Sequence, residues 1–549
     1  MPLIGAEAAV TSAATFPAAA IAFAYLSDSI GLPIVPAIVL IASAIAVAVV
    51  FMRLRRSAAG NRPAAAITAA ILSASFAWLL WLARPEFLPT GSGPDLVHHL
   101  ALIAYIEQHW HLPHDPQLGA YLGEMVDYTP GVHLLASLAG AWLRTDGLHV
   151  LYPVIAATAA VKAGFIFVIA RRLVPNESTR DAVGVAAVLL LLVPYVYSVG
   201  SFTEQSYLAQ VVSELFAVAM WWALIVWDGQ PSPEAAILFG IFGLGAFLTW
   251  PIWTGPLLLV FAAAAGVRLV SDTGRTGVRL VSDTLSAAAP VVAIAALHGS
   301  MHPGGFRMVG TGGFVIWPTM AVVRWWFYAL AGVALLLAAR QRRERIVVLL
   351  VIAIAAQASV LVRTAHSSGA AAPYLALKMF YLAIYPMAVA IAVMAAALWH
   401  VAATRLALLR SPAAPWIGVA VLGIAIARPI AAAPRPKPIL SEEVLQAGEW
   451  AKAHVSPACV DYLTQDGYTA YWLHLAVFGQ PRASGRATDD DTFEPKKALV
   501  RWILPGGLPY AITDDLDALP RDIRTNVDVV SEFGRAAVVK RRGAAAACP

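Results

Sequence analysis

The 549-residue chain is 59% hydrophobic and only 13% charged, whereas a soluble globular domain carries about 25% charged residues. That balance excludes an ordinary soluble enzyme or scaffold and marks a polytopic membrane protein. The formal net charge of +5 does not indicate nucleic acid, because the basic residues gather in short loops on alternate sides of apolar runs, as membrane topology requires.

An apolar run of about 20 residues crosses the hydrocarbon, and thirteen such runs are expected. In chain order they fall at 10–26, 33–52, 64–83, 148–170, 182–199, 207–227, 235–249, 255–270, 285–298, 317–339, 346–362, 374–399 and 416–433. The segment 130–143 is too short to span and is expected to be an interfacial helix. Arg53, Arg55, Arg56 and Arg62 follow the second run, Arg171 and Arg172 the fourth, and Arg340, Arg342, Arg343 and Arg345 the tenth. If these loops are cytoplasmic, the N-terminus is cytoplasmic, and residues 84–147 and everything beyond the thirteenth run are extracytoplasmic. The chain is expected in a plasma (bacterial inner) membrane. No basic region precedes the first apolar run, so a cleaved signal peptide is not expected.

A repeated VRLVSDT, at 267–273 and 278–284, is too short in period for a repeat fold and is expected in a cytoplasmic loop. After residue 433 a Pro-rich linker leads to more than a hundred residues of ordinary charge density. The organisation expected is therefore a transmembrane module, 1–433, with a large outer loop at 84–147, and a linker plus small α/β domain, 434–549. Helices are expected at 441–454, 467–478 and 495–503, and strands at 459–463, 508–513 and 536–540. Only two cysteines occur, Cys459 and Cys548, with no CxxC pair, so neither a disulfide framework nor a thiolate metal site is expected.

The most polar stretch, 91–133, holds His98, His99, His109, His111, His114 and His133, six of the chain's 13 histidines, with Asp95, Glu107, Asp115, Glu124 and Asp127. Asp95 reads as a helix start, where a carboxylate serves equally as an N-cap or as a reactive group. His98 and His99 follow at i+3 and i+4, on one helical face. Leu96, Leu100 and Ile103 form an apolar stripe, as on a helix lying along a membrane surface. Glu204 lies in the next outer loop. Arg324 lies seven residues into the run that opens at Trp317, Arg363 closes another, and Lys378 sits early in a third. Cations recessed on the side that carries a carboxylate suit a phosphate group. Lys162 is also recessed, although a lysine there can snorkel without a partner.

The acidic residue soon after an early span, the D..HH segment and the Y.PGVHLLASL segment resemble those of the membrane-embedded glycosyltransferases of the C type (GT-C). The resemblance covers about four-fifths of the chain. It implies an acidic residue of catalytic importance in the first large outer loop, matched by Asp95, and a second, matched by Glu204. It also implies a polyprenyl-phosphate-linked sugar as donor. The chain departs from the pattern in having two spans before the one that enters the loop and no acidic pair at position 95, so neither subfamily nor metal follows. Glycosyl transfer needs a base, Asp95, to take the acceptor hydroxyl proton, and cations to meet the departing lipid phosphate: Arg324, Arg363 and Lys378. His98, His99 and Glu124 would orient base or acceptor. The function implied is transfer of a sugar to a glycan or glycolipid acceptor by inverting direct displacement. A divalent metal is neither required nor excluded. The rival reading is a polytopic transporter or flippase for a lipid-linked or anionic substrate.

Overall fold

The computed structural model describes residues 5–56, 62–90, 94–271, 276–304, 315–370, 372–406, 411–431, 435, 438–481, 493–504 and 507–543. Three helices open the chain: α1 (Gly5–Ser29), α2 (Pro36–Arg56) and α3 (Arg62–Ala83). Then come α4 (Pro94–His109), α5 (Gly119–Leu122), α6 (Gly131–Leu143) and α7 (Gly147–Leu173). Next are α8 (Arg180–Leu190), α9 (Tyr195–Ser198), α10 (Gly200–Thr203), α11 (Leu208–Gly229), α12 (Pro233–Thr249), α13 (Thr254–Ser271) and α14 (Thr276–Met301). The helical part ends with α15 (Met320–Val323), α16 (Trp325–Ala338), α17 (Arg345–Ser367), α18 (Tyr374–Arg405) and α19 (Ala414–Ala431). Among the described residues, 9 helices are long and apolar enough to cross a membrane. The chain is a polytopic α-helical membrane protein with a small C-terminal α/β domain.

Two expected spans are broken. Residues 182–199 form only the 11-residue α8, then a turn and the short α9, because Pro194 lacks an amide for the helical ladder. Residues 317–339 break at Arg324, whose φ is 77°, a left-handed backbone that ends α15 and starts α16. Arg324 is therefore exposed at the junction of two helices and does not lie within one continuous helix. The VRLVSDT copies also differ from expectation. They lie largely within α13 and α14 and not in a loop, and Asp283 accepts a hydrogen bond from Trp227 Nε1 at 2.9 Å.

By compactness the chain divides into two units. The first comprises residues 1–81, 129–135 and 154–435. Within it, close helix packing depends on α12, where a Cβ at Gly240 would meet the Ser286 carbonyl at 2.6 Å; small residues let backbones approach in this way. Ion pairs join helix ends that the arginine pattern assigns to one side. Arg172 meets Glu7 at 2.8 Å, Arg171 meets Asp181 at 2.6 Å, and Arg345 meets Asp228 at 2.7 Å.

The second unit comprises residues 82–128, 136–153 and 436–549, so most of the outer loop falls in one unit with the C-terminal domain. Its described helices are completed by α20 (Glu442–His454), α21 (Gly467–Trp472), α22 (Pro495–Ile503) and α23 (Arg521–Arg524). Ser441 caps α20 by accepting from Val444 N at 3.3 Å, as the sequence predicts. The strands β1 (Val460–Leu463), β2 (Tyr510–Thr513), β3 (Val527–Phe533) and β4 (Ala536–Arg541) form one sheet in the order β1-β2-β4-β3. β1 and β2 are parallel and the other pairings antiparallel. The β3–β4 hairpin turns at Gly534, whose φ of +59° suits a residue without a Cβ. Trp502, Val527, Ala537 and Val539 are among the core residues. The segment entering α4 is stitched to this domain, since Ile439 N donates to Pro89 O at 2.9 Å. Against expectation, Cys459 is disulfide-bonded; the only other cysteine, Cys548, lies outside the described residues.

Candidate functional site

α4 carries the first of the expected site residues. Pro94 and Asp95 open it, a good start because proline needs no helical partner at the first position. The Asp95 side chain lies outside the described residues. Leu96, Leu100, Ile103 and Ile106 are all buried, so protein covers the apolar stripe and α4 does not present it to a membrane surface. α6, too short to span as expected, is likewise buried along most of its length.

The two histidines have different surroundings. His98 is buried, with Nε2 at 3.1 Å from Tyr471 Oη. Its ring also fits against Gly123 (φ +61°), where a Cβ would lie 3.1 Å from the imidazole. His99 is half-buried and edge-on to Tyr128, with ring centroids 5.2 Å apart. Desolvation pushes its pKa down to about 4, so it is neutral at pH 7. Glu124, next to Gly123, is exposed. On the last turns of α4, Glu107 accepts from Gly147 N at 2.6 Å. Burial raises its pKa to about 7, against the opposing bond from Gly147.

In the first unit Lys378 stands out. It is 1% exposed at the start of α18, and its ammonium faces the rings of Tyr207, Tyr374 and Tyr381. Ring faces attract a cation by their quadrupole. Tyr207 follows Glu204, Gln205 and Ser206 in the turn between α10 and α11, and Gln205 Oε1 accepts from Tyr381 Oη at 2.6 Å. The structure thus brings the turn that carries Glu204 onto Lys378. Burial raises the Glu204 pKa above the ordinary carboxylate value. Arg324 is linked more remotely. Tyr328, on the first turn of α16, packs its ring against Phe380, and so does Tyr197. Arg363 is exposed near the end of α17, and no described contact joins it to the other cations.

Sequence reasoning missed three tyrosines and one ion pair. Tyr374, Lys378 and Tyr381 stand at i, i+4 and i+7, a one-face spacing that was available as a signal; Tyr207, on another helix, gave none. Lys162 does not snorkel alone. Its ammonium meets the buried Glu214, whose carboxylate also accepts from Tyr385 Oη at 2.5 Å. Among the described residues no group of three or more His, Cys, Asp or Glu is placed to hold a metal ion.

No family model and no curated protein matches the chain. Among solved structures, it is similar to the crystal structure of ArnT from Cupriavidus metallidurans bound to undecaprenyl phosphate. The TM-score is 0.46 and the identity 14%, over 86% of this chain and 97% of that one. At that score the likeness leaves this chain's chemistry to its own residues.

Proposed function

We propose that the chain is an integral-membrane glycosyltransferase that moves a sugar from a polyprenyl-phosphate donor to an acceptor on the extracytoplasmic side. The observation that carries this reading is the Lys378 ammonium, buried at the start of a membrane span and ringed by Tyr207, Tyr374 and Tyr381. A buried cation in such a segment is a functional group by default, and a lipid phosphate that gains charge as it departs is the partner its position suits. Asp95 is the proposed base. It takes the proton of the acceptor hydroxyl, the oxygen forms the new bond to the anomeric carbon with inversion, and the electrons of the old C–O bond leave on the phosphate. His98 and His99 hold the helix that presents Asp95, Glu124 and Glu204 are candidate partners for the acceptor, and Arg324 and Arg363 are secondary candidates for the phosphate.

Two observations support an extracytoplasmic location for α4 and the C-terminal domain: their union in one unit with the arginine loops counted to the other side, and the disulfide at Cys459, a bond rare in reducing compartments. The Lys162–Glu214 pair within the spans is the observation that favours the transporter reading. Purified protein given a panel of radiolabelled polyprenyl-phosphate sugars tests the proposal: release of free polyprenyl phosphate with an acceptor extract supports it, and uptake into proteoliposomes without transfer replaces it with the rival.

A further inference from the structure

We propose that a groove between α1, α2 and α12 is a binding site for one phospholipid bearing a primary amine, a ligand distinct from any sugar donor. The groove has a volume of about 450 Å³, within the range of small-molecule sites. Its wall is almost wholly apolar, formed by residues such as Ala19, Ala22, Val50 and Ile241, and two charged residues, Arg53 and Glu234, also line it. α2 leaves most of its surface uncovered by protein, so the groove opens toward the bilayer, where acyl chains are the available apolar ligand.

The rim identifies the headgroup. Arg53 lies in the last turn of α2 and Glu234 in the first turn of α12. Both are exposed, and among the described residues neither forms an ion pair, although their side chains border one groove. One unpaired cation and one unpaired anion match a headgroup that carries a phosphate and a primary ammonium. The guanidinium donates in a fork to phosphate oxygens, and the ammonium donates to the carboxylate. A phosphatidylcholine headgroup has no N–H to donate, and a phosphatidylglycerol headgroup has no cation. Basic pockets between transmembrane helices bind lipid headgroups by the same electrostatics; here the added carboxylate selects among them.

The test is native mass spectrometry of the full-length protein released from nanodiscs holding equal parts of dioleoyl phosphatidylethanolamine, phosphatidylcholine and phosphatidylglycerol. The wild type is expected to retain one phosphatidylethanolamine in preference to the others. Glu234→Gln is expected to lower its ratio to phosphatidylglycerol by about fivefold, what one charge at a membrane surface is worth. Arg53→Gln is expected to weaken retention of all three lipids, and Ala22→Phe to abolish it by filling the groove. Both rim substitutions lie on exposed positions, so the outcome does not depend on Ala22→Phe folding. Equal retention of the three lipids by the wild type, or an unchanged ratio in Glu234→Gln, overturns the proposal.

Discussion

Tyr471 Oη and His98 Nε2 lie 3.1 Å apart across 373 residues of sequence. This hydrogen bond joins the C-terminal domain to the helix that follows the third span, and Ile439 N on Pro89 O at 2.9 Å joins the same two parts of the chain at the mouth of the loop. The domain is therefore a support for α4. Tyr471→Phe removes the bond and keeps the ring, so it is expected to cost about 1 kcal/mol. Amide hydrogen exchange over residues 94–109 should quicken while that of the spans stays unchanged; unaltered exchange in α4 would show that the bond supports nothing.

The expected topology puts the outer loop and the C-terminal domain on one side of the membrane. Single cysteines placed at the exposed Glu124 and Asp528, both in the second unit, are expected to react together with a membrane-impermeant maleimide in cells whose outer barrier is opened. A cysteine at the exposed Arg343 should react only after lysis. Reaction of Glu124→Cys and Asp528→Cys from opposite sides would be incompatible with their sharing a unit.

Glu214 and Lys162 neutralise one another inside the bundle. Removing one partner of a buried pair strands a charge and costs about 3–5 kcal/mol, whereas replacing both with apolar groups of similar volume is often near neutral. Glu214→Gln is therefore expected to lower the thermal midpoint of the purified protein sharply, and Lys162→Met with Glu214→Leu to restore most of it. If the double variant is as unstable as the single one, the hydrogen bonds of Glu214 to Tyr385 and Gln210 carry the stability instead.

Glu107 gives the second unit a pH dependence of known sign. Its folded pKa, about 7, stands above the ordinary glutamate value of 4.5, so the folded state binds more protons than the unfolded state between those values. Stability therefore falls as pH rises through that window. Glu107→Gln keeps an acceptor for Gly147 N and removes the titration. The decline in thermal midpoint of the wild type between pH 5 and pH 8 should shrink in the variant, and parallel curves would assign the titration to another group.

The parts legible in the sequence are those set by local composition. Most spans follow from runs of apolar residues, α22 from its proline start at Pro495, and α20 from Ser441. β3 escaped because four of its seven residues are exposed or carry charge in the pattern VDVVSEF, leaving no clean alternation. The burial of α4 escaped because its cover comes from Tyr471 and its neighbours, far along the chain. The Lys378 cage was half visible: Tyr374 and Tyr381 share its helical face, while Tyr207 reaches it only through the fold. The breaks at Pro194 and Arg324 turned two expected spans into interrupted ones. Proline signalled the first, and nothing in the residues around Arg324 signalled its positive φ.

Asp95 separates a structural role from a catalytic one more sharply than any other residue. It opens α4, directly after the proline at the first helical position. As the second residue of α4, and not its cap as the sequence suggested, it offers a negative charge to the helix N-terminus, worth about 0.3–1 kcal/mol, which Asn gives up at small cost to the fold. As a base it must take a proton at neutral pH, which an amide cannot do. Asp95→Asn is thus expected to accumulate in the membrane and to melt within a few degrees of the wild type. Transfer from a polyprenyl-phosphate sugar should fall by at least ~10²-fold, the low end of what a positioned base contributes, with donor binding unchanged because Lys378 and its tyrosines are intact. Wild-type turnover in that variant would return Asp95 to a helix-start role and move the base to Glu204, whose pKa burial already raises; Glu204→Gln assayed beside it decides between the two carboxylates.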